Sequence, residues 1–280
     1  MNDPLSGHHV LAGERLSKDS LTEVDLAPSV TLEVVGSVAV VRMERPAIDS
    51  STRLRLIEVL DEVATDGSVA ATVLTGTGRV FAAGQDLHEH RRALKLDATT
   101  ATQTLQTEYR PLLVRLACHP KPVVAAVNGV CAGGGLGLAL ACDLRIASST
   151  ARFVPAFLDL RLAPDCGVSE LLGRVIGWGR ARQVLLTGEA VSPDDAKSWG
   201  LVSAVVPEDE LMPKVMAVAG RFVDAAAAVR ATRTLLDAAE NRASLTDALA
   251  REQVAQAELA RNPAHVVAVE DVSAALRRRR

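Results

Sequence analysis

The sequence predicts an α/β fold, and three observations carry that reading. Pro122–Val127, PVVAAV, is an unbroken apolar run of strand length that ends at a turn, the pattern of a strand buried on both faces. A glycine run, Gly133–Gly135, then opens a segment of helical character. On either side, strand-length and helix-spaced segments alternate, as they do when parallel strands are joined by helices.

Taken in order, residues 1–28 are polar and aperiodic and read as a loose extension. Thr31–Met43 is rich in β-branched residues and broken at Gly36-Ser37, which predicts a hairpin. Thr52–Thr65 places Leu54, Ile57, Val59, Leu60 and Val63 at helical spacing. Ala71–Thr75 is a short strand, Gly76–Gly84 a glycine-rich loop, Thr100–Ala117 a second helix and Leu144–Ala147 a further strand. Beyond Cys166 the segments Ser169–Leu172, Arg180–Leu186 and Pro193–Trp199 read as short helices. From Glu208 onward the chain is helical, with alanine runs such as Ala225–Ala228. A boundary near Pro207 therefore divides a core, 29–207, from a helical region, 208–280, that packs on the core or on a neighbouring subunit.

Composition narrows the partners. The formal charge of −3 over 280 residues provides no basic field for a nucleic acid, and the Arg277–Arg280 run reads as a solvated tail. No apolar run reaches the roughly 18 residues of a membrane span. No apolar leader marks the start, so no secretory signal is expected. Cys118, Cys131, Cys142 and Cys166 lack CxxC spacing and a nearby His pair, which argues against a metal site or a disulfide framework. Isolated thiols suit a reducing, cytoplasmic setting.

The glycine turn in Val127–Asp143, VNGVCAGGGLGLALACD, resembles a phosphate cradle at first sight. The dinucleotide pattern GxGxxG fails, because its third glycine falls on Leu138 or Leu140, and no GK[ST] follows. An oxyanion hole is the alternative. Glycines let backbone N–H groups approach a ligand, and the positive end of a helix dipole adds to them. A second donor needs a second loop, and Phe81–Leu87, FAAGQDL, supplies a glycine-containing turn. Either turn alone is better explained by a tight connection.

Together, FAAGQDL and AAVNGVCAGGGLGLALACDLRIA resemble the two signature segments of the enoyl-CoA hydratase/isomerase (crotonase) superfamily. The likeness runs from about Thr31 through Val206 and includes RPAIDS after the hairpin and LLTGEAVSPDDAKSWGLVSAVVP near its end. It implies a crotonase-like ββα spiral core with a helical C-terminal trimerisation region, and a homotrimer or hexamer of subunits. It implies an acyl-CoA substrate, with coenzyme A as the carrier and no separate cofactor. Carried over by position, the two oxyanion N–H groups would be those of Gln85 and Gly134, with Ala83, Gly84, Asp86, Leu87 and Gly133 beside the substrate.

Hydratases of the superfamily use two glutamates, and the matching positions here are Gly137 and Phe157. Syn-hydration, which needs both carboxylates, is therefore disfavoured. Asp165, in FVPAFLDLRLAPDCGVSELL, is the remaining candidate acid or base. An Asp before a helix is most often an N-cap. An acidic residue at this point is nonetheless used by dienoyl-CoA isomerases. The ring-epoxide isomerases share FVxAFxxLxLxPDCG, the GQDL loop and the YxPL…RLA…PKPV…AVNGV segment, here YRPLLVRLACHPKPVVAAVNGV. One carboxylate suffices to move a double bond, and burial against Phe157 and Leu162 would strengthen it as a base.

Asp159 reads as a surface or strand-end residue, with a second acid as its alternative, Asp86 as a loop-bonding residue, and His88 and His90 in LHEHRR as exposed at a polar helix start. Arg45 and Lys121 are candidates for coenzyme A phosphates on charge. The chain departs from the family at Asp49-Ser50, where Asn-Ala is usual, and at its arginine-rich end. Two rivals remain: another thioester reaction, such as hydration or aryl-CoA dehalogenation with Asp165 as nucleophile, or a member that only binds acyl-CoA.

Overall fold

The computed structural model describes residues 28–240, 245–265 and 267–269, so most of the N-terminal extension and the terminal arginines lie outside the described residues. The chain begins with the expected hairpin, β1 (Val30–Val35) and β2 (Val38–Met43), paired antiparallel from Val30↔Met43 to Val35↔Val38. Gly36, at φ +60, makes the turn. Helix α1 (Ser50–Thr65) follows, capped by Asp49, whose carboxylate accepts from the Thr52 N–H at 2.8 Å. The departure Asp49-Ser50 is thus a helix start.

From here the chain coils. It lays strand β3 (Ala71–Gly76) parallel to β2, then β4 (Val80–Ala82) in a second, smaller sheet. Two helices, α2 (Leu87–Leu96) and α3 (Ala98–Thr104), a π-helical turn at Leu105–Tyr109 and α4 (Arg110–Ala117) lead to the next round. That round lays β5 (Val123–Val127) beside β3 and β6 (Val130–Ala132) beside β4, then α5 (Gly134–Ala141). The third round adds β7 (Leu144–Ser148) and β8 (Arg152–Val154). Three further helices, α6 (Val168–Ile176), α7 (Trp178–Thr187) and α8 (Pro193–Ser198), precede β9 (Ala204–Val206), which closes the large sheet. The result is the ββα spiral: a sheet in the order β1-β2-β3-β5-β7-β9 and a small one in the order β4-β6-β8.

The sequence reading differs at several points, with β8 and β9 among the strands it lacks. Gly76–Gly84 is not wholly loop but contains β4; β6 stands between PVVAAV and the glycine turn; and the expected helix over Thr100–Ala117 is interrupted by the π-helical turn. Strands of three residues are too short for a period of two to register, which is why the small sheet escaped notice.

The central strands of the large sheet are buried on both faces. Ala39, Val41, Leu74, Val123, Ala125 and Val127 face the cluster shared with α1, α4 and α5. Val38, Val40, Val73, Val124 and Ala126 face the other side. That side is covered by α9 (Leu211–Asp224) through Leu211, Val215 and Ala219. Helices α10 (Ala226–Glu240) and α11 (Leu245–Leu259) lie against each other. Arg233 on α10 ties them to the core, donating to Asp143 at 2.5 Å and to the Ala117 carbonyl at 2.6 Å.

Candidate active site

The two glycine turns meet at the C-terminal ends of the short strands. β4 delivers Ala83, Gly84 and Gln85; β6 delivers Gly133 and the start of α5. Gly84 has φ +88, and a Cβ there would lie 3.0 Å from the Ala132 carbonyl and 3.5 Å from the Gly134 nitrogen. Gly133 has φ +50, and its N–H donates to Val154 O at 3.0 Å. Glycine is required at both, by conformation at each and by the approach of the backbones at Gly84. The Ile48 N–H donates to Gly84 O at 2.8 Å and the Asp86 N–H to Ile48 O at 3.4 Å, a bridge that fixes the first loop. Gln85 N–H and Gly134 N–H make no backbone hydrogen bond among the described residues, and no side chain caps α5. Two free donors, one at a helix N-terminus, therefore stand in adjoining turns.

A cavity of about 210 Å³ opens in front of them. Gln85, Gly134, Tyr109, Phe157, Asp165 and His90 carry its chemistry; Ala83, Gly84, Leu87, Gly133 and Leu162 also border it. Of the residues singled out from the sequence, Asp86 and Arg45 lie elsewhere, as do Lys121 and His88. Asp86 turns away to cap α2, accepting from the Glu89 N–H at 2.7 Å. Arg45 is absent from the cavity wall and donates to Asp49 at 2.8 Å.

The far wall is the segment Pro155–Cys166, which carries three non-glycine residues with left-handed backbone: Ala156 (φ 62), Arg161 (φ 57) and Cys166 (φ 51). Each such residue costs on the order of 1 kcal/mol or more, so packing must impose the shape. Asp165 does not cap α6. The N-cap is Gly167, and what Asp165 contributes to the helix start is its backbone carbonyl, which accepts from the Val168 N–H at 2.9 Å. Its carboxylate remains in the cavity wall. Burial holds its pKa above the ordinary value, against the opposing pull of the Cys166 thiol, its own backbone N–H and the charge of His90. The neighbouring Cys166 thiol is pushed well up by burial and by the Asp165 carboxylate, so it stays protonated and donates.

The position of one missing glutamate has a steric explanation. A Cβ on Gly137 would lie 2.4 Å from the Cys166 carbonyl oxygen and 2.8 Å from its Cβ. The strand of chain bearing Asp165 occupies the space. Phe157, at the other position, is 6% exposed and presents an apolar ring.

Behind the cavity lies a group that the sequence reading passed over. Arg53, fully buried on α1, donates to Glu89 at 2.7 Å, to Glu108 at 2.7 Å and to the Ile48 carbonyl at 2.7 Å. Its guanidinium stands 4.9 Å from the centre of the Tyr109 ring. Tyr109 ends the π-helical turn, its hydroxyl donating to Ile48 O at 3.4 Å, and burial raises its pKa. π-Helical turns are frequent at functional sites, because they re-aim one residue. Arg53 thereby joins Ile48, which bridges to the first loop, with α2 and the π turn.

Two further expectations are corrected. Lys121 is not a free cation: its ammonium group donates to the carbonyls of Val63 and Asp66, closing the C-terminal end of α1. His90 is not an exposed residue of a polar helix start. It borders the cavity, and its Nδ1 is buried without a hydrogen-bond partner. His88 is exposed and Asp159 stands at the cavity edge on an exposed 3₁₀ turn, as expected of surface residues.

Comparison with known proteins places this architecture. A family model described as enoyl-CoA hydratase/isomerase matches residues 33–270. The chain is 43% identical over 157 residues to the 1,2-epoxyphenylacetyl-CoA isomerase of Escherichia coli (strain K12), covering 56% of this chain and 60% of that one. It is 35% identical over 200 residues to the 4-chlorobenzoyl coenzyme A dehalogenase-2 of an Arthrobacter species, covering 70% and 72%. A solved Mycobacterium abscessus structure, of a protein described as an enoyl-CoA hydratase/isomerase, superposes with a TM-score of 0.83 at 38% identity, covering 88% and 96%.

Proposed function

This chain belongs to the enoyl-CoA hydratase/isomerase family, and from that premise we propose that it is an acyl-CoA isomerase that shifts a double bond, or opens a ring epoxide, next to the thioester. Gln85 N–H and Gly134 N–H donate to the thioester carbonyl oxygen. Asp165 removes a proton from the α carbon of a 3-enoyl thioester. The electron pair spreads onto the carbonyl oxygen as a dienolate, where the two donors stabilise it; each such donor is worth roughly 3 kcal/mol in the transition state. Asp165 then returns the proton at the γ carbon, and the double bond comes into conjugation with the thioester. One carboxylate on one face of the acyl chain serves both steps.

The observation that carries this reading is the crowding of Gly137 by Cys166, which leaves Asp165 as the half-buried carboxylate of the wall. Burial raises its pKa and so its strength as a base toward a carbon acid. Phe157 keeps that side of the cavity apolar, which disfavours a competing water.

The test is a panel of 3-enoyl- and epoxy-acyl-CoA substrates, with products identified by mass spectrometry, run on the wild type and on Asp165→Asn. Isomer formed by the wild type and lost in the variant supports the reading. Chloride released from 4-chlorobenzoyl-CoA would replace it with the dehalogenation reading that the similarity to the Arthrobacter enzyme favours. Acyl-CoA binding without hydrogen exchange at the α or γ carbon would replace it with a binding role.

A further inference from the structure

We propose that His90 is a positioning residue for the proton transfer, its imidazole stabilising the ionised carboxylate of Asp165. The inference rests on the acid–base role given to Asp165 above and adds the group that acts on it.

Two anchors fix α2 at the cavity. Asp86 caps its start, and Glu89, the residue before His90, is held by the buried Arg53. The turn that carries His90 is thereby set against the cavity it borders. Its Nδ1 is sealed inside the protein without a hydrogen-bond partner. A sealed N–H lacking an acceptor costs more than a sealed lone pair, so the proton of the neutral ring belongs on Nε2. Nε2 is not sealed and makes no hydrogen bond among the described residues, which leaves it as the nitrogen that can act.

Charge then singles out its target. Asp165 is a carboxylate in a largely apolar wall, where the ionised form needs a compensating group. Among the described residues that border the cavity, His90 has the one basic side chain. Asp159, at the edge, adds like charge; the Tyr109 hydroxyl is turned to Ile48 O; the Cys166 thiol donates to Asp165 but brings no charge. Behind the wall, Arg53 is already matched by Glu89 and Glu108. The charge of His90 does reach Asp165, where it opposes the effect of burial. An N–H on Nε2 directed at one carboxylate oxygen leaves the other free to carry the proton from the α to the γ carbon.

The first test is a melting cycle that uses no substrate. Melting temperatures near neutral pH are measured for the wild type, His90→Leu and His90→Gln, each with and without Asp165→Asn. Asp165→Asn is expected to raise the melting temperature more in the His90→Leu background than in the wild type, because the charge it removes has there lost its partner. His90→Gln, which keeps an N–H near the place of Nε2, is expected to fall between. The second readout is the rising limb of kcat/KM against pH for a 3-enoyl-CoA, which should move up by about one pH unit in His90→Leu and part of the way in His90→Gln. A merely structural role lowers every melting temperature alike and leaves the limb in place. Equal effects of Asp165→Asn in all backgrounds, or a limb unmoved in His90→Leu, overturn the proposal and leave the isomerase reading standing. If the wild type isomerises no substrate of the panel, that reading falls, and the melting cycle still decides the pairing. Should His90→Leu fail to fold, His90→Gln carries the comparison, with a smaller effect of the same sign expected.

Discussion

A Cβ built on Gly137 stands 2.4 Å from the carbonyl oxygen of Cys166. The contact is with backbone, not with the tip of a flexible side chain, so nothing can swing aside. Gly137→Glu is therefore expected to displace the Asp165 segment instead of adding a working carboxylate. Overpacking of this kind costs roughly 1–3 kcal/mol. The variant should melt several degrees below the wild type and show no gain in hydration of crotonyl-CoA, followed by loss of enoyl absorbance.

Asp165→Asn removes the proposed proton carrier and keeps its shape. The rate of double-bond shift is expected to fall by about 10²–10⁴, with acyl-CoA affinity held within a few-fold. In the wild type, kcat/KM should rise with pH through a value raised above that of an ordinary aspartate, because burial disfavours the charged form. That limb should vanish in the variant. An unchanged rate in Asp165→Asn refutes the assignment.

The same raised pKa has a stability consequence of fixed sign. The folded protein holds the Asp165 proton to higher pH than the unfolded chain does. The protonated form is fully accommodated below the unfolded value, and stability is lost as pH rises through the folded one. Asp165→Asn should thus melt higher than the wild type at neutral pH, and the difference should close as the pH falls to roughly 4. Melting curves at the two pH values measure it.

Arg53→Met leaves Glu89 and Glu108, whose side chains are 22% and 19% exposed, without their partner. Breaking a buried ion pair from one side costs about 3–5 kcal/mol. Because the same guanidinium holds the Ile48 carbonyl, the first loop should loosen as well. The expected phenotype is a lowered melting temperature and, in the folded fraction, a lower kcat with smaller change in KM. Chemical denaturation and steady-state kinetics separate the two.

Gly84→Ala puts a side chain at φ +88 and 3.0 Å from Ala132 O. Displacing the loop by a few tenths of an ångström misaims the Gln85 N–H. Loss of one such donor is worth about 10²–10³ in kcat, and that drop, at little cost in acyl-CoA affinity, is the expected outcome.

The coil of strands was largely legible because PVVAAV is an unbroken apolar run and the hairpin is β-branched on either side of Gly36-Ser37, signals that the sequence displays. The small sheet was not: Val80–Ala82, Val130–Ala132 and Arg152–Val154 are three residues each and have no pattern of their own. At the site, the glycines and Asp165 stood out through their motifs, and the chain folds them around one cavity. His90, Tyr109 and Arg53 did not. His90 sits in LHEHRR, where polarity on every side masks the one face turned inward. Arg53 lies among the residues of a helix whose spacing alone would leave an arginine in solvent, and only Glu89 and Glu108, 36 and 55 residues away in sequence, explain its burial. Lys121 looked like a ligand for phosphate because charge in a sequence gives no hint of nearby carbonyls.

The left-handed backbone at Ala156, Arg161 and Cys166 also restricts which sequences can ever occupy this wall. Side chains branched at the β carbon are barred from all three positions by conformation alone. Anyone randomising the pocket to retune its preference should keep these sites to glycine, asparagine, aspartate or unbranched residues, and spend the diversity on Leu87, Leu160 and Leu162, where the chain trace imposes no such filter.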